Sequence, residues 1–220
     1  MAIAADPIVR LRRPHARQLE FIRHPAKRKV VRAGRRSGKT TGAAGMAEAR
    51  FLAGARVLYA APTAEQIETF WREVKRALAE LLSAGLLVKN ETLHTIERVG
   101  TQNRIRAKTA WNADTLRGDY ADLLILDEYQ LMDEDAWALV GAPMLLDNNG
   151  DVVFIYTPPS LHSRSISKAR DPRHAAKLFA AAQADTTGRW AAFHFTSHEN
   201  PYISAEALGD ISRDMTALAV

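Results

Sequence analysis

Val30-Val31-Arg32-Ala33-Gly34-Arg35-Arg36-Ser37-Gly38-Lys39-Thr40 decides how this chain is read. An apolar and basic run, suited to a strand, enters a loop of small residues that closes on Gly38-Lys39-Thr40, and a helix-prone stretch from Thr41 to Leu52 follows. Strand, loop and helix in that order form a phosphate-binding loop. Small residues let the backbone turn tightly, so that successive N–H groups converge on one anion. The helix N-terminus adds partial positive charge. The backbone of Gly34, Arg35, Arg36, Ser37 and Gly38 is therefore the candidate cradle, Lys39 reaches the β- and γ-phosphates, and the Thr40 hydroxyl holds Mg²⁺. The match is to the relaxed motif, since Ala33 stands where the strict form has Gly. The loop lacks the G-x-G-x-x-G spacing of a dinucleotide site.

A second motif lies downstream. Leu123-Leu124-Ile125-Leu126 runs without alternation into Asp127-Glu128, as a strand buried on both faces of a parallel sheet would. Asp127 then falls at the carboxyl end of its strand, where open α/β sheets bind ligands, and can hold the Mg²⁺ water shell beside Thr40. Glu128 follows as the general base for an attacking water. Between the two motifs, Val57-Leu58-Tyr59-Ala60-Ala61 reads as another buried strand, and Ala64 to Ser83 as one amphipathic helix. The extra strand between phosphate loop and acidic strand, together with Glu directly after Asp, indicates the fold class: an α/β P-loop NTPase of the additional-strand, catalytic-glutamate type. Its central sheet would be mainly parallel and flanked by helices.

The remaining elements keep the alternation of an α/β domain. Leu93 to Ile96 and Arg104 to Ala107 suit a hairpin around Gly100, and Trp111 to Gly118 a loop. Asp133 to Val140 reads as a short helix with an Asp cap, and Val152 to Thr157 as a strand stopped by Pro158-Pro159. Arg173 to Ala184 is a helix, Trp190 to Thr196 the last strand, and Ser204 to Leu218 a terminal helix. Thr157, at a strand end, is placed near the γ-phosphate of ATP. His194, His198 and Glu199 straddle a strand end rather than one helix face, which disfavours a metal site. Ser163, Ser165 and Ser167 lack nucleophile-elbow glycines.

Composition bounds the function. The 220 residues carry a formal charge of +5 and a pI near 9.6, with the basic residues concentrated between Arg10 and Arg36. That suits a phosphate-rich partner, ATP or nucleic acid. No cysteine is present, which excludes disulfides, thiolate nucleophiles and Cys-bearing zinc sites. No apolar run reaches membrane-spanning length, so no membrane partner is expected.

Taken together, the motifs resemble the ATPase domain of the large terminase subunit of tailed bacteriophages, the motor that packages DNA. His15-Ala16-Arg17-Gln18 looks like the adenine-recognising segment, with Gln18 as reader. Gly34 to Thr40 is similar to the family's arginine-bearing loop, and Leu116-Arg117-Gly118 resembles a segment before the acidic strand. Tyr156-Thr157-Pro158 resembles the coupling motif, and Phe195-Thr196-Ser197 to Asn200-Pro201-Tyr202 the passage from ATPase core to linker.

The resemblance implies an ATPase with ATP and Mg²⁺ as cofactors, driving double-stranded DNA into a procapsid. Arg35 would sense the γ-phosphate in cis, and Arg117 would serve as an arginine finger in trans, with Arg104 and Arg106 next in line. It further implies a pentameric ring homo-oligomer when active, with the isolated chain allowed to be monomeric. Portal protein and the small terminase subunit would be partners, and the cytoplasm of the infected host the location. Residues 1–196 would form the ATPase domain and 197–220 a linker-like segment with a terminal helix. The family's nuclease domain is expected to be absent from this chain. A helicase-like DNA translocase and a nucleotide-gated nucleic-acid-binding module are the alternatives.

Overall fold

The structure, a computed structural model, describes residues 8–110, 116–158, 167–204 and 206–209. α1 (Ala16–Arg23) leads into β1 (Arg28–Ala33), and α2 (Lys39–Leu52) follows the loop. β2 (Val57–Ala61), α3 (Ala64–Ala77) and α4 (Ala79–Ser83) come next, then β3 (Leu87–Asn90), β4 (Thr95–Arg98) and β5 (Arg104–Thr109). β6 (Leu123–Leu126), α5 (Ala142–Met144), β7 (Asp151–Tyr156), α6 (His174–Gln183) and β8 (Trp190–Phe195) complete the order.

The strands join into one sheet of order β3-β4-β5-β2-β6-β7-β1-β8. β5, β2, β6, β7, β1 and β8 pair in parallel, while β3 and β4 add antiparallel at one edge. Parallel pairing requires both faces to be covered. On one face Val31, Tyr59, Ile125 and Val153 pack under α1, α2 and α3 through Phe21, Ala44, Phe51, Phe70 and Trp71. On the other, Val30, Leu126 and Phe154 pack under Tyr129, Val140 and Phe179. The fold is that of an α/β P-loop NTPase, and its parallel pairing sets the carboxyl ends of β1, β6 and β7 along one rim.

The strand that separates β1 from β6 in the sheet is β7, with Phe154 opposite both Val30 and Leu126. β2, which the sequence placed between the two motifs along the chain, lies on the far side of β6. The additional strand is thus supplied from downstream, because sequence order does not set lateral order in a parallel sheet.

Other elements also differ from the sequence reading. The predicted helix from Ala64 to Ser83 breaks at Leu78, where ψ is 8°. Leu78 stays fully buried while α4 turns the chain toward β3. α3 itself starts on a reciprocal cap, Thr63 Oγ1 accepting from Gln66 N and Gln66 Oε1 from Thr63 N. The predicted helix after Asp133 keeps its Asp cap, Asp133 Oδ1 accepting from Asp135 N at 2.9 Å. It then runs as wide π turns from Ala136 to Gly141. Pro143 cannot donate to the carbonyl four residues back and its ring crowds that carbonyl, so a regular ladder does not persist. The expected hairpin forms as β4 and β5 and gains β3, an edge strand with one buried residue and no alternation to reveal it. Residues 111–115 of the predicted loop, Ser163, Ser165 and most of the terminal helix lie outside the described residues.

One buried acid marks the α2–α3 contact. Glu48 is 3% exposed on α2, and burial, with Glu73 nearby, pushes its carboxyl up to about 8 against the pull of Arg76. Because the folded value lies above the usual 4.5, the stability Glu48 contributes is full below about pH 4.5 and is lost as pH rises through about 8. Glu48→Gln should flatten this part of the pH profile. Urea denaturation from pH 5 to 9 would measure it; an unchanged slope would remove Glu48 as the source.

Candidate functional site

The phosphate loop lies between the end of β1 and the start of α2. Gly38, at φ +86°, is the residue before the first turn of α2, and Arg36 holds φ +58°. A left-handed non-glycine residue costs about 1–2 kcal/mol, so neighbours must hold Arg36 there. A Cβ on Gly38 would come within 2.8 Å of Gln18 Nε2, which confines the position to glycine on sterics as well as φ. Arg35 and Arg36 project their side chains to solvent.

The two sequence motifs meet at this rim. Thr40 Oγ1 donates to Asp127 Oδ2 at 2.8 Å, and Lys39 Nζ lies 2.9 Å from Glu128 Oε1. Asp127 is 2% exposed and also accepts from Tyr59 Oη at 2.8 Å and from Glu128 N at 2.9 Å. Burial raises its carboxyl, and Glu128 raises it further, while Lys39, Thr40 and Tyr59 oppose them. A buried carboxylate short of cationic compensation, next to a hydroxyl, is a hard-oxygen donor pair that fits Mg²⁺. Among the described residues no three His, Asp or Glu side chains cluster to hold a metal by themselves.

Glu128 sits at φ +53°, and its Oε2 accepts from Gln130 Nε2 at 2.6 Å. Thr157 follows Tyr156, whose register partner on β1 is Arg32, so it comes level with the start of the phosphate loop. Gln18 is 3% exposed; its Nε2 donates to Gly38 O at 2.6 Å and its Oε1 accepts from His15 N at 2.9 Å. In this arrangement it buttresses the loop, and reading a base would require it to exchange these partners. Arg117 is exposed on a turn closed by Gly118 at φ +77°.

Arg104, Arg106 and Lys108 share one face of β5 and all reach buried Asp119, at 3.1, 3.0 and 2.7 Å. His194 pairs with Arg32, and Glu199 with Arg17 and Thr196. Sequence reading gave no site role to Tyr59, Gln130 or Asp119, and placed Ser197 and Asn200 only in a linker-like passage. Gln130 had a local signal, two residues beyond an acidic pair. Tyr59 acts from a neighbouring strand, and Ser197 and Asn200 from the far end of the chain.

A family model described as the ATPase domain of the terminase large subunit matches residues 22–167. The large terminase subunit of Thermus virus P23-45 is 32% identical over 169 residues, which is 68% of this chain and 35% of that protein. The chain thus spans about a third of the length of that curated relative. Among solved structures, a point mutant of the ATPase domain of the Thermus phage P74-26 large terminase superposes with a TM-score of 0.74 at 22% identity. The match covers 94% of this chain and 90% of the other. The large terminase of the thermophilic bacteriophage D6E, solved with ADP, gives 0.64 at 15% identity over 92% and 50%.

Tyr59 gives the site a stability test. Removing its hydroxyl withdraws one of the groups that hold the Asp127 carboxyl down. A hydrogen bond to a charged group contributes about 1.5–3 kcal/mol. Tyr59→Phe should lose stability on that order in urea denaturation, and a parent-like midpoint would show that the bond contributes nothing.

Proposed function

Since this chain belongs to the terminase large-subunit ATPase-domain family, we propose that it hydrolyses ATP with Mg²⁺ and that hydrolysis drives double-stranded DNA into a viral procapsid. The observation that carries this reading is the meeting of Lys39 and Thr40 with Glu128 and Asp127, at 2.9 and 2.8 Å, where β1, β7 and β6 end.

In this reading the loop amides and Lys39 bind the β- and γ-phosphates. When bound, Mg²⁺ offsets phosphate charge, and Thr40 and Asp127 would hold it. Glu128 accepts a proton as a water oxygen bonds to the γ-phosphorus and the bond from that phosphorus to the bridging oxygen breaks, leaving ADP and phosphate. The Lys39–Glu128 ion pair and Lys39's hold on phosphate draw on the same ammonium, so nucleotide binding would weaken the cation's grip on the base. Arg35 senses the γ-phosphate in cis, Thr157 lies near it at the end of β7, and Gln18 reads the adenine after exchanging its partners on Gly38 O and His15 N. DNA contacts are mainly phosphate contacts and therefore independent of sequence. The ring assembly, portal protein, small terminase subunit and host cytoplasm belong to the same proposal. Among the described residues no helix is long and apolar enough to cross a membrane.

Arg117 is the trans-finger candidate from the family resemblance; Arg104 and Arg106, next in line, pair with buried Asp119.

Two substitutions separate binding from chemistry. Lys39→Ala should abolish ATP binding in calorimetric titration, and ordinary turnover in that variant would sink the assignment. Glu128→Gln should keep binding and lose about 10²–10⁴-fold in hydrolysis; parent-rate hydrolysis would transfer the base role to another group.

The finger is tested by mixing. Specific activity should rise with protein concentration as subunits meet, and Arg117→Ala should remove that rise with little change in nucleotide affinity. A trans arginine supplies about 10³–10⁵-fold in rate. Arg117→Ala and Glu128→Gln mixed together should recover activity, because each lacks a different half of a shared site. No recovery in mixtures shown to co-assemble would move the role away from Arg117.

A further inference from the structure

The carbonyls of the phosphate loop are held from outside, and two of the side chains that hold them come from the segment after β8. Ser197 Oγ donates to Arg35 O at 2.5 Å, and Asn200 Nδ2 donates to Arg36 O at 2.8 Å. From the other flank, His15 Nε2 lies 3.0 Å from Ser37 O, and Gln18 Nε2 donates to Gly38 O at 2.6 Å. Four successive carbonyls are thereby engaged. In a planar trans peptide the N–H points opposite to the C=O. Fixing these carbonyls outward therefore aims the amides of Arg36, Gly38 and Lys39 inward. The amide of Ser37 instead closes the loop on Gly34 O at 3.3 Å.

The segment from Thr196 to Ile203 is built to hold its two donors in place. Asn200 is 8% exposed, and its Oδ1 accepts from Tyr202 N at 3.0 Å. That contact assigns the oxygen and leaves the NH₂ group facing Arg36 O. Arg36 is the non-glycine loop residue in the left-handed region, so Asn200 bonds to the carbonyl of the strained position. Glu199 accepts from Thr196 N at 2.8 Å and pairs with Arg17 of α1 at 2.6 Å. Tyr202 Oη donates to Arg13 O at 3.1 Å. Gly34 makes room for this strap: a Cβ there would lie 3.0 Å from Ser197 Oγ and 3.2 Å from its backbone N.

We propose that Ser197 and Asn200 are positioning residues for nucleotide binding, and that the strap from Thr196 to Ile203 becomes more ordered when the loop closes on phosphate. The inference rests on the loop being the nucleotide site. Its physical basis is reciprocity: if the strap favours the loop geometry that binds phosphate, bound phosphate must favour the docked strap by the same factor. The strap is the chain's route out of the sheet, so whatever follows it would be coupled to the nucleotide state.

Calorimetric titration with ADP and Mg²⁺ on the 220-residue chain tests this, with circular dichroism to confirm folding. Asn200→Asp keeps the shape of the side chain but removes the donor, and should weaken ADP binding about 5–30-fold, as expected when a part-buried carbonyl loses its partner. Ser197→Ala should weaken it about 5-fold, and Ser197→Thr, which retains a hydroxyl, should restore it. In hydrogen exchange on the parent chain, ADP should slow the amides from Ser197 to Ile203. Folded Asn200→Asp and Ser197→Ala variants that bind ADP within 2-fold of the parent would overturn the proposal. So would a parent strap whose exchange is indifferent to ADP, a measurement that stands even if a variant fails to fold. A parent chain that does not bind ADP at all would instead remove the nucleotide-site reading, and this inference with it.

Discussion

A loop that turns its amides inward must turn its carbonyls away, and carbonyls facing the surrounding chain take partners from it. Much of this structure follows from that constraint. His15 and Gln18 on one flank and Ser197 and Asn200 on the other satisfy four consecutive carbonyls. They draw the region around α1 and the segment after β8 onto the same few residues, although some 180 positions separate them in sequence. β8 lies beside β1 and delivers the strap to the loop. Phe21 stacks on Phe195 and so fixes α1 against β8. Gly42 is part of the same fit, since a Cβ there would meet Phe21 and Gln18 at 2.9 and 3.0 Å.

The second constraint is electrostatic. Two adjacent acids at the end of a buried strand cannot both stay ionised without compensation. Thr40, Tyr59 and a backbone amide reach Asp127, whereas Lys39 and Gln130 take Glu128. The left-handed backbone at Glu128 sends the two carboxylates to different partners. β7 makes this spacing possible: it lies between β1 and β6 and holds the loop and the acids one strand apart. A similar rule governs Asp119, which draws in three cations from one face of β5.

The parts legible in the sequence were those whose signal is local. The loop is a contiguous motif, β6 is an unbroken apolar run ending in two acids, and α3 shows its buried stripe at helical spacing. The readings that failed depended on neighbours. A helix pattern that continues through Leu78 does not reveal that the chain must turn there to reach β3. Pro143, which breaks the ladder, is visible in the sequence, but the close approach of Gly141 to Leu124, where a Cβ would come within 2.8 Å, is not. Gln18 enters the sequence reading as the adenine reader through the family resemblance; that its amide also bonds to Gly38 O and to His15 N is a tertiary contact no local pattern announces.

The sequence by itself determined the class of fold and which residue types gather at the rim, because phosphate loop, acidic strand and strand–helix alternation are written in consecutive residues. Only the tertiary structure decided which strand separates β1 from β6, which tyrosine supports Asp127, and which side chains hold the loop's carbonyls. Those are contacts between residues tens to more than a hundred positions apart. A hydrogen bond of 2.8 Å depends on where two backbones cross, and no periodicity or motif along one stretch of chain encodes that crossing.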